Sequence, residues 1–290
     1  MDMKLSTPVP PLGAGARASR MGRILVDKGK LTQTQAEQVV QLQQDRGMRF
    51  GEAAQVLGFI TESDIQQVLA QQFDYPYLQP GEINFPPQLV AAYQPFSKQV
   101  ETLRAIRSQL MMQWFSAGHK SLALISANPE ESSMFAANLA VVFSQLGEHT
   151  VLVDGNLRSP LQHELFRLGN RQGLADILAG RAGLETLCKV DSFLNLSVLP
   201  AGTIAPNPQE LLGRPAFKAI NDGLSSSFDI VLYDVSAYST GTDALAIAAL
   251  SGGVLLVARK NQTRLADLNE MNEQLGRSGA KVIGSVLVEF

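Results

Sequence analysis

The chain has 290 residues, a formal charge of -3, 45% apolar and 18% charged residues, enough for about two domains at roughly 150 residues each. The mild acidity and the lack of a basic tail or stripe argue against a general nucleic-acid binder. One cysteine, Cys188, excludes an internal disulfide framework and cannot build a zinc site alone, and no apolar run reaches the ~18 residues of a membrane span. The expected location is the cytoplasm.

In chain order, residues 1–18 (rich in Pro, Gly and Ala) carry too little apolar bulk to offset ordering entropy and are expected to be a flexible tail. Residues 19–74 read as a small, mainly helical domain containing a duplication. RMGRILVDKGKLTQTQAEQVVQLQ starts at Arg20 and RFGEAAQVLGFITESDIQQVLAQQ at Arg49, with QDRGM between them. Both copies begin Arg-x-Gly, carry a glycine at the tenth position (Gly29 and Gly58) and end in glutamine (Gln43 and Gln72). A helical hairpin duplicated only for packing explains such spacing. Arg beside Gly, twice, also suits a two-fold ligand. A guanidinium stacks on a purine or forks onto guanine O6/N7, and glycine lets backbone N–H groups approach phosphate.

These residues resemble the N-terminal domain of MshE-type secretion ATPases, whose tandem 24-residue motifs bind cyclic di-GMP. The resemblance assigns ligand contacts to Arg20, Gly22, Leu25, Val26, Gly29, Leu31 and Gln43 in the first copy. In the second it assigns Arg49, Gly51, Gly58, Phe59, Ile60 and Gln72. Lys30 and Ala36 in the first copy, and Ala54 and Gln55 in the second, depart from the motif's aliphatic residues.

Residues 75–97 are dense in proline and read as a linker. From 98 to 290, short apolar runs alternate with helical stretches: Leu122–Ile125, Thr150–Val153, Leu196–Leu199, Ile230–Tyr233, Gly253–Val257 and Val282–Leu287, with a helix over Ala136–Leu146. The pattern predicts an α/β domain of P-loop type, a mostly parallel sheet with helices on both faces and ligands beyond the carboxyl ends of the strands.

Glu101, Arg104 and Arg107 lie three apart on one predicted helix, which by itself is an ordinary solvated face. With VLVDGNLRSP from Val151, His163 to Phe166, APNPQELL from Ala205, IVLYDVSAYS from Ile230 and the ending VIGSVLVEF, the domain resembles the bacterial tyrosine kinases of capsule and exopolysaccharide export, and among them the EpsG-like, chain-length-associated members. That likeness implies ring assembly through Glu101, Arg104 and Arg107, a membrane polysaccharide co-polymerase as partner, ATP and magnesium as cofactors, and residence at the inner membrane through the partner. A homo-oligomer and a hetero-oligomer with an intact kinase both fit.

The phosphate loop departs from the resemblance. A working loop needs glycines, a lysine for the β/γ charge and a hydroxyl for magnesium. SANPEESSMFAANL from Ser126 has neither glycine nor lysine, leaving Pro129, Glu130, Glu131, Ser132 and Ser133 as a degenerate loop. A carboxylate about 4 Å from a phosphate costs on the order of 4 kcal/mol at an effective dielectric of about 20, so ATP and magnesium are not expected to bind normally. Asp154 and Asp234 remain as residual catalytic candidates, with Ser133 completing the set if magnesium binds. Inherited scaffold carboxylates at strand ends explain them better in this degraded context. Asn156 replaces the second Asp of the kinase motif, and Val288 an Asn that holds the purine in relatives. Arg158, His163, Cys188 and Trp114 read as structural.

The expectation is a cyclic di-GMP-responsive regulatory or scaffolding pseudokinase. An active kinase or ATPase with an atypical loop and a structural ring subunit stand as alternatives.

Overall fold

The computed structural model describes residues 14–72, 78, 85–127, 131–169 and 171–289, with the side chains of 14–19, 71, 72 and 131 excepted. The chain divides into two compact units, 1–76 and 77–290.

The first unit holds four helices, α1 (Ala14–Asp27), α2 (Gln33–Arg46), α3 (Phe50–Val56) and α4 (Glu62–Gln72). The sequence repeat is a structural one. Each copy is a helix, a turn and a helix, and the turn glycines Gly29 and Gly58 adopt φ of 68° and 71°, left-handed values that side chains disfavour. The turns close with the same bonds: Gly29 N–H to Val26 O at 2.9 Å, Gly58 N–H to Gln55 O at 2.8 Å. Thr32 with Gln35, and Thr61 with Asp64, then exchange side-chain and backbone bonds that start α2 and α4. Leu25, Leu31, Val39, Phe50, Ile60 and Val68 are buried in the core of this unit. α1 begins at Ala14, inside the segment expected over 1–18 to be a flexible tail, and so corrects that expectation for 14–18; residues 1–13 lie outside the described residues.

The second unit is a seven-stranded sheet ordered β3-β4-β2-β5-β1-β6-β7. Its strands are β1 (Ser121–Ser126), β2 (Thr150–Asp154), β3 (Cys188–Lys189), β4 (Leu196–Leu199), β5 (Ile230–Asp234), β6 (Gly253–Arg259) and β7 (Lys281–Val288). All pairings are parallel except that of β3 with β4. The helices are α5 (Val90–Tyr93), α6 (Lys98–Gln113), α7 (Glu131–Gln145), α8 (Gln162–Leu165), α9 (Leu174–Leu178), α10 (Pro208–Leu212), α11 (Pro215–Ser227), α12 (Asp243–Ser251) and α13 (Leu265–Arg277).

Strand side chains alternate between two faces. Leu122, Leu124, Leu152 and Leu232 join α5, α6 and α7 in one core, and Ala123, Ile125, Val153 and Tyr233 join α9 to α13 in the other. This is the two-faced α/β sheet that the sequence predicts. β3 escapes sequence reading because a two-residue edge strand has no period.

The linker expected over 75–97 is corrected in its second part. Leu78, Phe85, Leu89, Ala91 and Ala92 are buried in the core of the second unit. Asn138 of α7 anchors this segment by accepting from Ala91 N–H at 2.9 Å and donating to Gln88 O at 3.0 Å. Prolines there shape a packed connection, and the apolar residues between them decide its burial.

Candidate functional site

Strands β1, β2 and β5 end side by side, and their last residues, Ser126, Asp154 and Asp234, form the floor of the site. Asp154 and Asp234 are register partners and both are fully buried. Pro129 and Glu130 lie outside the described residues. Glu131 opens α7, and Ser132 and Ser133 follow in its first turn, each 3% exposed.

The side chains around Asp234 turn onto it. Ser132 Oγ lies 3.3 Å from Asp234 Oδ1 and 3.2 Å from Val235 O, a hydroxyl that donates to one or the other. Ser133 also donates to the Asp234 carboxylate. The Gln162 carboxamide Nε2 donates to Asp234 Oδ2 at 2.8 Å and to Ser133 O at 2.9 Å. Its Oε1, like Ser236 Oγ, is buried and accepts or donates no bond among the described residues.

Asp154 faces backbone instead. Its Oδ2 accepts from Leu161 N–H at 3.1 Å and Gln162 N–H at 3.0 Å, and its Oδ1 from Asn156 N–H at 3.3 Å. Asn156 accepts from Ser159 N–H at 3.1 Å, bracing the turn after β2.

Burial pushes the Asp234 carboxyl up to about 6, against the opposing bonds from Ser133, Gln162 and Ser132. Burial and then the neighbouring Asp234 charge push Asp154 well above the ordinary range, against its three backbone bonds. Two adjacent carboxylates away from water resist losing both protons.

This donor set contains hard oxygens of the kind magnesium prefers. No lysine or glycine stands between Ser126 and Leu139, and the hydroxyls and amide that would turn outward are bonded inward. The described residues do not fit a magnesium-bound triphosphate.

The other predicted residues are placed as follows. Arg104 pairs with Glu101 on α6, whereas Arg107 Nη1 donates to Val142 O of α7 at 2.9 Å and so ties two helices of its own unit together. Arg158 clamps the buried Asp243 at the start of α12 with bonds of 2.6 and 3.1 Å. Its guanidinium is correspondingly held in the charged form, by the Asp243 hydrogen bonds above all. Trp114 packs in the core and donates to Ser121 O at 2.9 Å; Cys188 is buried on β3 and donates to Thr186 O. His163 Nε2 lies 3.9 Å from Glu164 Oε1.

In the first unit the repeat residues separate into two groups. Gly22, Leu25, Leu31, Gly51 and Ile60 are buried, Val26, Gln43 and Phe59 are half-buried, and Arg20, Gly29, Arg49 and Gly58 are exposed. Arg20 lies within α1, whereas Arg49 caps α3 and its N–H donates to Glu52 at 3.0 Å. The side chain of Gln72 lies outside the described residues.

A parallel sheet with buried aspartates at the carboxyl ends of neighbouring strands, beside a strand–loop–helix, is the architecture of P-loop nucleoside triphosphatases. Comparison with protein-family models gives no match. The chain is 32% identical over 194 residues to a Staphylococcus aureus protein named putative tyrosine-protein kinase CapB, covering 67% of this chain and 85% of that one. It is 32% identical over 201 residues to tyrosine-protein kinase wzc of Salmonella typhimurium, covering 69% of this chain but only 28% of that protein's length. Its fold matches the kinase domain of the Escherichia coli tyrosine kinase ETK with a TM-score of 0.69 and 25% identity, over 75% of this chain and 85% of that one. The chain belongs to the bacterial tyrosine-protein kinase family.

Asp154, Asp234, Ser132 and Ser133 are legible in the sequence as candidates. Gln162 is not, because it sits between two motifs and belongs to neither. Its one signal is adjacency to the His163–Phe166 segment.

Proposed function

We propose that this chain is a cyclic di-GMP-responsive regulatory pseudokinase of exopolysaccharide synthesis and export, bearing on a membrane polysaccharide co-polymerase. One observation carries the pseudokinase half. Asp234, where a kinase would organise magnesium, is engaged by Ser132, Ser133 and Gln162 of the same chain, with no lysine in the loop to hold phosphate. Support for the sensing half comes from the duplicated Arg-x-Gly motifs, in which Arg20 and Arg49 are both exposed. Contact with the inner membrane would run through the partner, since no described helix is long and apolar enough to cross a membrane. A chain with two ligand-dependent conformations of unequal affinity would pass the signal on.

Calorimetry on the full chain tests both halves. Cyclic di-GMP is expected to bind, at least about tenfold more weakly, or roughly 1.4 kcal/mol, when Arg20→Ala and Arg49→Ala are combined. Magnesium-ATP is expected to give no binding heat. The retained Ser133–Asp234 pair favours one rival, a kinase with an atypical loop. Turnover of radiolabelled ATP that disappears in Asp234→Ala would establish that rival and remove the pseudokinase reading.

A further inference from the structure

The two copies of the repeat are not equivalent in their grooves. In the second copy the groove between α3 and α4 is closed twice over. Ile65 Cδ1 lies 3.0 Å from where a Cβ on Gly51 would stand, and Gln55 Nε2 donates across to Glu62 Oε2 at 2.7 Å. The first copy has Ala36 in place of Ile65, and Val26 and Gln33 in place of the bonded Gln55 and Glu62. Neither closure can form. A cleft of about 550 Å³ is left between α1 and α2, within the range of small-molecule sites.

Its apolar surface comes from Gly22, Val26, Ala36, Val40 and the Phe50 ring, with the Gln33 carboxamide among them. Val40, 37% exposed, is water-facing apolar surface on that wall. The rim carries Arg23, Asp27 and Glu37, none with an ion-pair partner among the described residues. Flat apolar walls suit an aromatic base. Carboxylates accept from N–H groups, and the edge of guanine that bears N1–H and the 2-amino group offers only donors beside O6, which a guanidinium can meet. Adenine presents no such run of donors.

We infer that the first-copy cleft is a guanine-reading pocket, with Asp27 and Glu37 accepting from N1–H and the 2-amino group and Arg23 donating to O6. This rests on the cyclic di-GMP reading above and makes its half-sites unequal: one base enters the first copy, and the second copy offers only outer surface.

Titration of the full chain with cyclic di-GMP, and with the cyclic dinucleotide of inosine that lacks the 2-amino group, tests it. Ala36→Leu is the informative variant because the two geometries predict opposite signs. Leucine restores the motif's aliphatic residue, so a ligand lying over the helices would bind more tightly. A base inside the cleft would be displaced, and a loss of about tenfold or more is expected. Asp27→Asn combined with Glu37→Gln, at exposed positions that do not endanger folding, is expected to weaken cyclic di-GMP about tenfold and to narrow its preference over the inosine analogue. No binding of cyclic di-GMP to the unaltered chain would overturn the sensing reading and the pocket together. Binding that is unchanged or improved in Ala36→Leu, or that keeps its preference in the double carboxylate variant, would overturn the pocket alone.

Discussion

Replacing Asp176 with alanine is expected to lower the stability of the C-terminal unit by about 3 kcal/mol. The side chain, 2% exposed, joins the start of α9 to the loop after β4. Its Oδ2 accepts from Gly173 N–H at 3.1 Å and Thr203 N–H at 3.0 Å, and its Oδ1 from Thr203 Oγ1 and Arg181 Nη2, each at 2.8 Å. Truncation leaves the buried Gly173 N–H without its acceptor, at about 1–3 kcal/mol, while the N–H and hydroxyl of the exposed Thr203 and the half-exposed Arg181 guanidinium lose bonds that water partly replaces and add less.

Burial raises the Asp176 carboxyl, but the Thr203, Arg181 and Gly173 bonds outweigh it and bring the group down to about 2. A carboxyl depressed on folding contributes stability that is complete above its ordinary 3.8 and fades as pH falls through about 2. Thermal unfolding is the measurement. For a unit of this size, 3 kcal/mol corresponds to a fall of roughly 6–12 °C in Tm at neutral pH. A variant that melts within a degree or two of the unaltered chain would show that the loop is held by other contacts.

How far the sequence speaks for this fold depends on how local each feature is. The runs at Leu122, Thr150, Leu196, Ile230, Gly253 and Val282 all became strands: the first five are strands buried on both faces, which read as continuous apolar runs wherever they pair, and the last is the mostly half-buried or exposed edge strand β7, whose β-branched residues carry the signal. The repeat is legible for the same reason: Gly29 and Gly58 impose their turns on the residues beside them. The Asp176–Thr203 bonds span 27 residues and the Gln162–Asp234 bond spans 72, and no periodicity announces such partners. The proline-rich stretch misleads because Pro and Gly signal turns, while Phe85 and Leu89 are what the core recruits. At the candidate site, composition reveals the missing lysine. Only the structure reveals that Ser132, Ser133 and Gln162 have turned inward onto Asp234.

That inward turn makes Asp234→Asn a stabilising substitution above neutral pH. Asp234 is raised on folding from 3.8 to about 6 by burial, with Asp154 beside it raised as well. Between those pH values the folded chain holds a proton that the unfolded chain has released. Stability therefore is complete below about 4 and is lost as pH rises through about 6. The gap corresponds to roughly 3 kcal/mol between the acid and alkaline limits, of which about 1.4 kcal/mol is still present at pH 5 and gone at pH 8, so the unaltered chain should be less stable at pH 8 than at pH 5 by about that amount. An amide at this position keeps an acceptor for Gln162 Nε2 and carries no charge towards Asp154. The variant should show a flatter profile over that range and exceed the unaltered chain at pH 8. Chemical denaturation at the two pH values, with and without magnesium, reads the outcome. A magnesium ion bound at these oxygens would draw both protons off and stabilise the unaltered chain selectively at pH 8. The pseudokinase reading expects no such gain, and a magnesium-dependent rise in stability that disappears in Asp234→Asn would return this site to the working kinases of its family.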